Sequence, residues 1–491
     1  MKKLKYYIIP IFALAMLTVS CSDDLERFPF NSIEQSQAFK TIEDAANWDN
    51  GFYAFFRGRV SGSIQFVTDI QADQLNASKD FGNRNGFPHR WDGFLAADGT
   101  ISSIWSSLYS GITNVNVALA GFETLELEDA GEIAQLEVFK ADAHFARAYY
   151  YYQLIIRYAN DYDPATAGTD LGVPLLLEYD VNALPARATV QQVYNQILID
   201  LQAASTGLAG IAGSQGSNYF NADVVKALEA RVKLSMEDWT GAKTAADLLI
   251  NSGTYPLMTS SLELSDMWTN DNPQEVIYQP FVSAPNELTN TNAIYLGFNA
   301  DDATWTPDFI PSQWVVDEFD NADIRKSVYF DEKNVKIQGA VTPGISLVNK
   351  FPGNPALFTS ANTNYQHAPK VFRIAEMYLI SAEAGLMGAG NGDVPLNALR
   401  NARNLPSILS PTMADLKEER FRELAFEGFR LDDLKRWDEG FTRRDPQDTN
   451  LINVGTGYES LSKTATDPKF TWAIPANDET INPNIVQNPG W

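Results

Sequence analysis

The stretch from Asp80 to Phe94 reads DFGNRNGFPHRWDGF. Four rings, Phe81, Phe87, Trp91 and Phe94, alternate with Asn83, Arg84, Asn85, His89, Arg90 and Asp92. Gly82, Gly86, Pro88 and Gly93 mark the stretch as loop. It carries no helical stripe, so burying all four rings is difficult. Flat rings beside planar polar groups suit a ligand with apolar CH faces ringed by hydroxyls, as a sugar has. Phe81, Asn83, Arg84, Phe87, His89, Arg90, Trp91 and Asp92 are therefore the first ligand-binding candidates. The alternative is a loop pinned to a scaffold by its aromatics. A second candidate is Trp305 in DDATWTPDFIPSQW (Asp301 to Trp314), flanked by polar residues and proline and expected to be exposed. Trp314 opens a possible helix and is expected in the core. A third is Tyr365 in NTNYQHAPK (Asn362 to Lys370), beside Gln366 and His367.

Covalent chemistry finds little support. The three histidines, His89, His144 and His367, stand in unrelated contexts, and none has metal-site spacing. No nucleophile elbow and no phosphate-cradling glycine loop is present. Paired carboxylates could hydrolyse a glycoside, but 62 acidic residues bring some pairs together by chance. An enzyme is not expected, and no cofactor is. Asp320-Asn321-Ala322-Asp323 could hold a structural calcium ion, although a helix-capping turn explains it as well. Between Glu418 and Trp437 opposite charges recur at helical spacing: Glu418 with Arg422, Arg420 with Glu423, Asp432 with Arg436. They read as a solvated or inter-helix ion-pair lattice, with a charged ligand site or an acid/base pair as the alternative.

The net charge of −25 argues against nucleic acid as a partner, because phosphate binding needs a basic surface. The N-terminus has the layout of a secretory signal: Lys2, Lys3 and Lys5, then an apolar run from Tyr6 to Val19 too short to span a bilayer comfortably. Cys21 closes it and is the chain's only cysteine. No internal disulfide can form, and Cys21 is the expected lipidation site of a bacterial lipoprotein. Ser22-Asp23-Asp24-Leu25-Glu26 follows as a solvated tether.

Helices must position these candidates. Periodicity and end signals predict helices over 41–56, 101–125, 132–159 and 189–206, a hairpin over 223–250, and further helices over 371–387, 394–402 and 414–437. Residues 252–369 lose that periodicity and read as a long loop-rich insert, with short strands at 275–279 and 293–298. The expected organisation is a signal peptide over 1–20 and one domain over 21–491. That domain divides into a helical part over 21–251, the insert over 252–369, and a helical part with tail over 370–491. Tyr149 to Tyr152 fan around the helix at about 100° per residue. They cannot form one flat platform, so this helix is expected to be enclosed by neighbours.

Several motifs, in order, resemble one family. VFKADAHFARAYYYYQLIIRYAN, DVVKALEARVKLSMEDWTGAKTAADLLINSGTYPL, KVFRIAEMYLISAEA, LNALRNARN and EERFRELAFEGFRLDDLKRW are similar to the signature helices of SusD/RagB proteins. The terminal segment from Trp472 to Trp491 and the lipoprotein start match as well. The hairpin also resembles tetratricopeptide-repeat helix pairs. The resemblance implies a mainly α fold, a helical scaffold with such pairs, long irregular loops and a few short strands. It implies an outer-membrane lipoprotein without catalysis, facing the cell exterior. Such a protein captures oligosaccharide or polysaccharide and delivers it to a SusC-like TonB-dependent transporter. In some members the ligand is a peptide, which is the alternative here; a glycoside hydrolase is the rival from another class. A starch-type member takes its glycan partly from a loop in the region of 80–94.

Overall fold

The computed structural model describes residues 38–291 and 293–491. The signal segment, Cys21 and the acidic tether lie outside the described residues.

The N-terminal helices begin where side chains can satisfy free backbone N–H groups. Helix α1 (Ile42–Arg57) opens on a reciprocal Thr41–Asp44 capping box. Helix α2 (Ser63–Gln71) and strand β1 (Leu75–Ala77) follow, and a short helix α3 (Gly86–Arg90) interrupts the expected loop. Asp98 caps α4 (Gly99–Phe122), and Asp129 caps α5 (Ala130–Tyr158). Strands β2 (Leu171–Pro174) and β3 (Arg187–Thr189) pair and lead into α6 (Val190–Gly207), capped by Thr189 and Gln192. Helices α7 (Ala222–Ser235) and α8 (Trp239–Ser252) form the expected hairpin, broken at Glu237, where φ is +57°.

Helix α5 is the axis of the scaffold. It packs against α1, α4 and α6, and all four tyrosines from Tyr149 to Tyr152 are buried. Neighbours on every side account for this. The Tyr150 ring lies against Gly111 of α4, where any Cβ would stand 2.5 Å from it. Tyr151 donates to the carbonyl of Leu176 (2.8 Å), and Tyr152 pairs with the Ser235 hydroxyl (3.0 Å). Burial pushes the Tyr149 phenol up to about 12. Tyr149 and Tyr152, with Arg157 and Asp432, also line a partly open cavity of about 100 Å³.

The middle region is built otherwise. After α9 (Ser261–Thr269) come β4 (Val276–Tyr278), β5 (Phe298–Asn299), β6 (Thr304–Trp305) and β7 (Phe309–Pro311). Short helices α10 (Gln313–Asp317) and α11 (Lys326–Tyr329) precede the long strands β8 (Phe330–Ile337) and β9 (Ala340–Val348). The sheet order is β5-β6-β8-β9, with β6 and β8 parallel and the other pairs antiparallel. The strand expected over 293–298 is a 3₁₀ turn at Ala293–Tyr295, with only Phe298–Asn299 extended. Tyr295 is drawn into a ring cluster with Phe351 and Phe426, which turns the backbone away from a ladder.

Strand β10 (Phe372–Arg373) pairs with β4 and feeds α12 (Ile374–Ala384), which stacks on α8 and then on α13 (Asp393–Ala402). The single helix expected over 414–437 is two: α14 (Met413–Leu424) and α15 (Arg430–Arg436). The chain breaks where Phe426 and Gly428 take φ of +64° and +83°. Gly428 lies so close to α2 that a Cβ would meet the Gln65 carbonyl oxygen at 2.6 Å. The tail adds β11 (Phe441–Thr442), β12 (Ser462–Lys463) and α16 (Ala476–Ile481). It closes on the scaffold through Trp472, whose indole donates to Gln71 (2.9 Å). The fold is mainly α, a stack in which α4, α5, α6, α7, α8 and α12 pack in succession.

The charged helix proves internal. Glu423 accepts from Arg403 (2.9 Å) and Arg373 (2.8 Å), Glu419 pairs with Arg325 (2.7 Å), and Arg403 also meets Glu275 (2.9 Å). These six side chains are at most 2% exposed. Burial alone would raise Glu423, but Arg403, Arg373 and Arg325 hold it well below the usual carboxylate range. The local pairings expected from spacing are mostly replaced. Arg420 turns to Asp433 (2.8 Å), Arg436 to Asp433 (2.9 Å) and Glu383, and Arg422 to Glu318 (2.9 Å), with Glu418 3.9 Å away.

Candidate functional site

Three distant segments lie side by side. β1 pairs antiparallel with β7, Ser78 bridges to Ile452, and Lys79 N–H donates to the Leu451 carbonyl (2.9 Å). This pairing sets the loop after β1 between the β6–β7 connection and the 451–458 segment of the tail. Asn83 and Asn85 adopt left-handed backbone, with φ of +59° and +53°, and launch α3.

The loop divides its candidates between core and surface. Phe81, His89 and Trp91 are 5%, 0% and 4% exposed, which corrects the expectation that they face a ligand. Trp91 terminates α3 at φ +57°, which turns its ring inward onto Phe441 and Phe470. Its indole N–H is satisfied by the Gln71 carbonyl (2.7 Å). His89 Nδ1 bonds the Ile70 carbonyl (2.9 Å), and its other nitrogen lies 3.2 Å from Arg443. Burial and the Arg443 charge hold this imidazole well below its ordinary range, so it is neutral. Phe81 packs edge-on to Phe309. Phe94 is fully buried against Trp491.

Asn83, Arg84, Phe87 and Asp92 are exposed, and Arg90 is half-buried. Arg90 stands 5.4 Å from the Phe87 ring centre and 5.5 Å from that of Tyr458. It donates to the Asn83 amide oxygen (2.7 Å) and to the Tyr458 hydroxyl (3.1 Å). The guanidinium thus bridges two rings and fixes their spacing. Phe87 is 43% exposed and rests on Gly93, where a Cβ would approach its ring to 2.8 Å. Arg84 pairs with Asp308, whose carboxyl burial pushes upward. Asp92 has no counterpart in this bridge.

Trp305, three residues before Asp308 in the chain, and Tyr365 both pack on one small apolar cluster and are joined through Phe298. Trp305 is half-buried, tilted against Phe298 at 5.1 Å, with the Lys333 ammonium 4.8 Å from its ring centre. Tyr365 is half-buried, and its hydroxyl accepts from Phe298 N–H (2.6 Å), so it holds the ring pair in place. Trp314 stacks on Phe421 at 4.9 Å, towards the core. The arrangement offers rings, guanidinium and amide groups at a surface. It offers no nucleophile–base pair.

Sequence reasoning missed Tyr458 and Phe298. Tyr458 stands in NVGTGYES, directly after a glycine, as Phe87 follows Gly86 in the loop at 80–94. That composition was the available signal. At 320–323, Asp323 is bonded to Arg325 (2.7 Å) and Asp320 caps the Ala322 N–H (2.7 Å). Among the described residues no group of three or more His, Cys, Asp or Glu is placed to hold a metal ion.

Residues 33–234 match a SusD-like family model described as starch-binding and associating with the outer membrane, and residues 325–491 match the SusD family model. The chain belongs to the SusD superfamily. It is 25% identical over 500 residues to SusD-like protein P38 of Formosa agariphila, covering 89% of this chain and 92% of that one. A SusD superfamily protein from Bacteroides thetaiotaomicron superposes with a TM-score of 0.78 at 24% identity, over 91% of this chain and all of the other. A laminarin-binding SusD-like protein superposes with a TM-score of 0.70 at 21% identity, over 92% of this chain and all of the other. At these identities the superpositions establish the fold. The SusD-family chain therefore has the scaffold its helices suggested, and its surface site must be judged on its own residues.

Proposed function

We propose that this chain is a cell-surface lipoprotein that binds oligosaccharide or polysaccharide and delivers it to a SusC-like TonB-dependent transporter. The observation that carries the reading is the Phe87–Arg90–Tyr458 bridge. Two rings fixed by one guanidinium give sugar CH faces a platform, and Asn83 and Arg84 offer hydrogen bonds to the hydroxyls beside it. The half-buried Phe298–Trp305 pair offers a second set of rings. Membership of a family described as starch-binding, and the fold shared with a laminarin binder, support a glycan as the ligand. The chain binds and releases; it does not cleave.

Cys21 carries the acyl chains and holds the protein to the outer membrane. Among the described residues no helix is long and apolar enough to cross a membrane. Cys21→Ser should move the protein from the membrane fraction to the soluble one. Isothermal titration against starch, laminarin, other polysaccharides and a set of peptides tests the ligand. Binding to at least one glycan is expected; binding to peptides and to no glycan would replace this reading with peptide capture. Release of reducing sugar by the purified protein would make it a hydrolase.

A further inference from the structure

The connection between β2 and β3 carries an apolar surface that no described residue covers. Every residue from Leu177 to Leu184 is exposed. Four of them are large and apolar, with Leu177 at 43%, Tyr179 at 52%, Val181 at 75% and Leu184 at 47%. Single exposed leucines are ordinary on a protein surface, whereas four in eight residues form a patch.

The patch is held in shape. Asp180 accepts from the N–H of Asn182 (2.8 Å) and of Ala183 (3.2 Å), which closes a turn at the tip. The tail then ties down the returning strand. Asn484 donates to the Leu184 carbonyl (2.7 Å), Asn482 to that of Pro185 (2.8 Å), and Arg187 to that of Val486 (2.9 Å). These bonds bring Ile481 and Val486, 64% and 59% exposed, beside the loop. On the other flank a shallow depression of about 430 Å³ runs between β3 and α6, ending at the exposed Ile199.

Charge selects the occupant. From Asp161 to Val225 the only cationic residue is Arg187, which is buried and committed to backbone carbonyls. From Ala476 to Trp491 there is none. The charges at the patch are the exposed Glu178, Asp180 and Glu479. A second copy docked about a two-fold axis would set these acids against themselves. An anionic lipid surface would be repelled in the same way.

We propose that the 177–184 loop and the 481–486 segment form a docking surface for a protein whose contact area is apolar and rimmed by lysine or arginine. The identity of the probe, though not the surface, rests on the function proposed above. The test uses the full chain and the SusC-like transporter of the source organism in detergent. It compares wild type with Leu177→Ser/Tyr179→Ser/Val181→Ser and with Glu178→Lys/Asp180→Lys. Wild type should form a complex that the triple variant weakens by about 30-fold or more. The charge variant should weaken it less and reduce its salt dependence, with melting temperature and glycan binding unchanged in both. A complex that both variants form as well as wild type does overturns the surface and leaves the transporter reading standing. A wild type that forms no complex overturns that reading and this docking assignment together. Light scattering that shows a wild-type dimer lost in the triple variant, or binding to vesicles of phosphatidylcholine and phosphatidylglycerol, assigns the patch to another occupant and overturns the proposal.

Discussion

The Tyr149–Tyr152 run and the Phe87–Arg90–Tyr458 cluster use the same kinds of side chain in opposite ways. On α5 the rings fan around a helix and are enclosed by α1, α4 and α6. In the cluster, one ring from the short helix α3 and one from the tail stand about one guanidinium and keep a solvent-facing side. Arginine differs in the same sense. Arg325, Arg373 and Arg403 are fully buried among carboxylates, whereas Arg84 and Arg90 reach the surface. Residue type therefore does not separate scaffold from site. Packing context does: rings on the long helix are walled in, and the segments at 80–94 and 451–458 keep Phe87 and Tyr458 at the edge while Phe81, Trp91 and Phe94 turn inward.

The scaffold side should break hardest. Arg403→Ala leaves Glu275 and Glu423 buried without their shared guanidinium and should cost about 3–5 kcal/mol in denaturant unfolding. Tyr150→Ala opens a cavity against Gly111 and should cost about 3 kcal/mol, with glycan affinity retained in the folded fraction.

The third prediction concerns pH. Asp49 of α1 and Asp142 of α5 are buried together, and one oxygen of each has no donor. Tyr53 donates to the other oxygen of Asp142 (2.8 Å). Burial pushes Asp49 from 3.8 up to about 7, and burial with the Asp49 charge raises Asp142 as well. Raised carboxyl values mean that the folded state keeps protons the unfolded chain releases above about pH 4. For Asp49 this contribution to stability is full below that pH and is lost as pH rises through about 7; Asp142 contributes in the same direction. Asp142→Asn removes one titrating partner and supplies an amide donor. It should raise the melting temperature at pH 8 relative to wild type and flatten its fall between pH 5 and 8.

The site side should respond least in stability. Phe87→Ala and Tyr458→Ala should each change unfolding by less than about 0.5–1 kcal/mol, since their rings keep a solvent-facing side. Each should weaken glycan binding by about 10-fold, from a loss of roughly 1–1.5 kcal/mol of ring contact.

Much of the scaffold could be read from the sequence, because helix stripes and caps are local. Thr41 with Asp44 and Thr189 with Gln192 mark helix starts within a few residues. What escaped depends on distant partners. The break between α14 and α15 is set by the approach of Gly428 to Gln65, which no local pattern records. The β8–β9 hairpin left a local signal: alternation through Val335 and Ile337, then Gln338-Gly339, both at positive φ. The loss of helical period around it masked that signal. In the site, the loop at 80–94 was found by composition, but which rings face outward was not. Trp91 turns inward because Gln71, Phe441 and Phe470 offer it a place, and those residues lie in other segments.

The most direct test measures glycan affinity and melting temperature on the same three proteins: wild type, Phe87→Ala/Tyr458→Ala, and Trp91→Ala. The account predicts that the surface pair loses glycan binding while melting like wild type. It predicts that Trp91→Ala melts lower yet, where folded, binds with wild-type affinity. A surface pair that binds glycan as wild type does, or a fully stable Trp91→Ala protein that has lost binding, would contradict it.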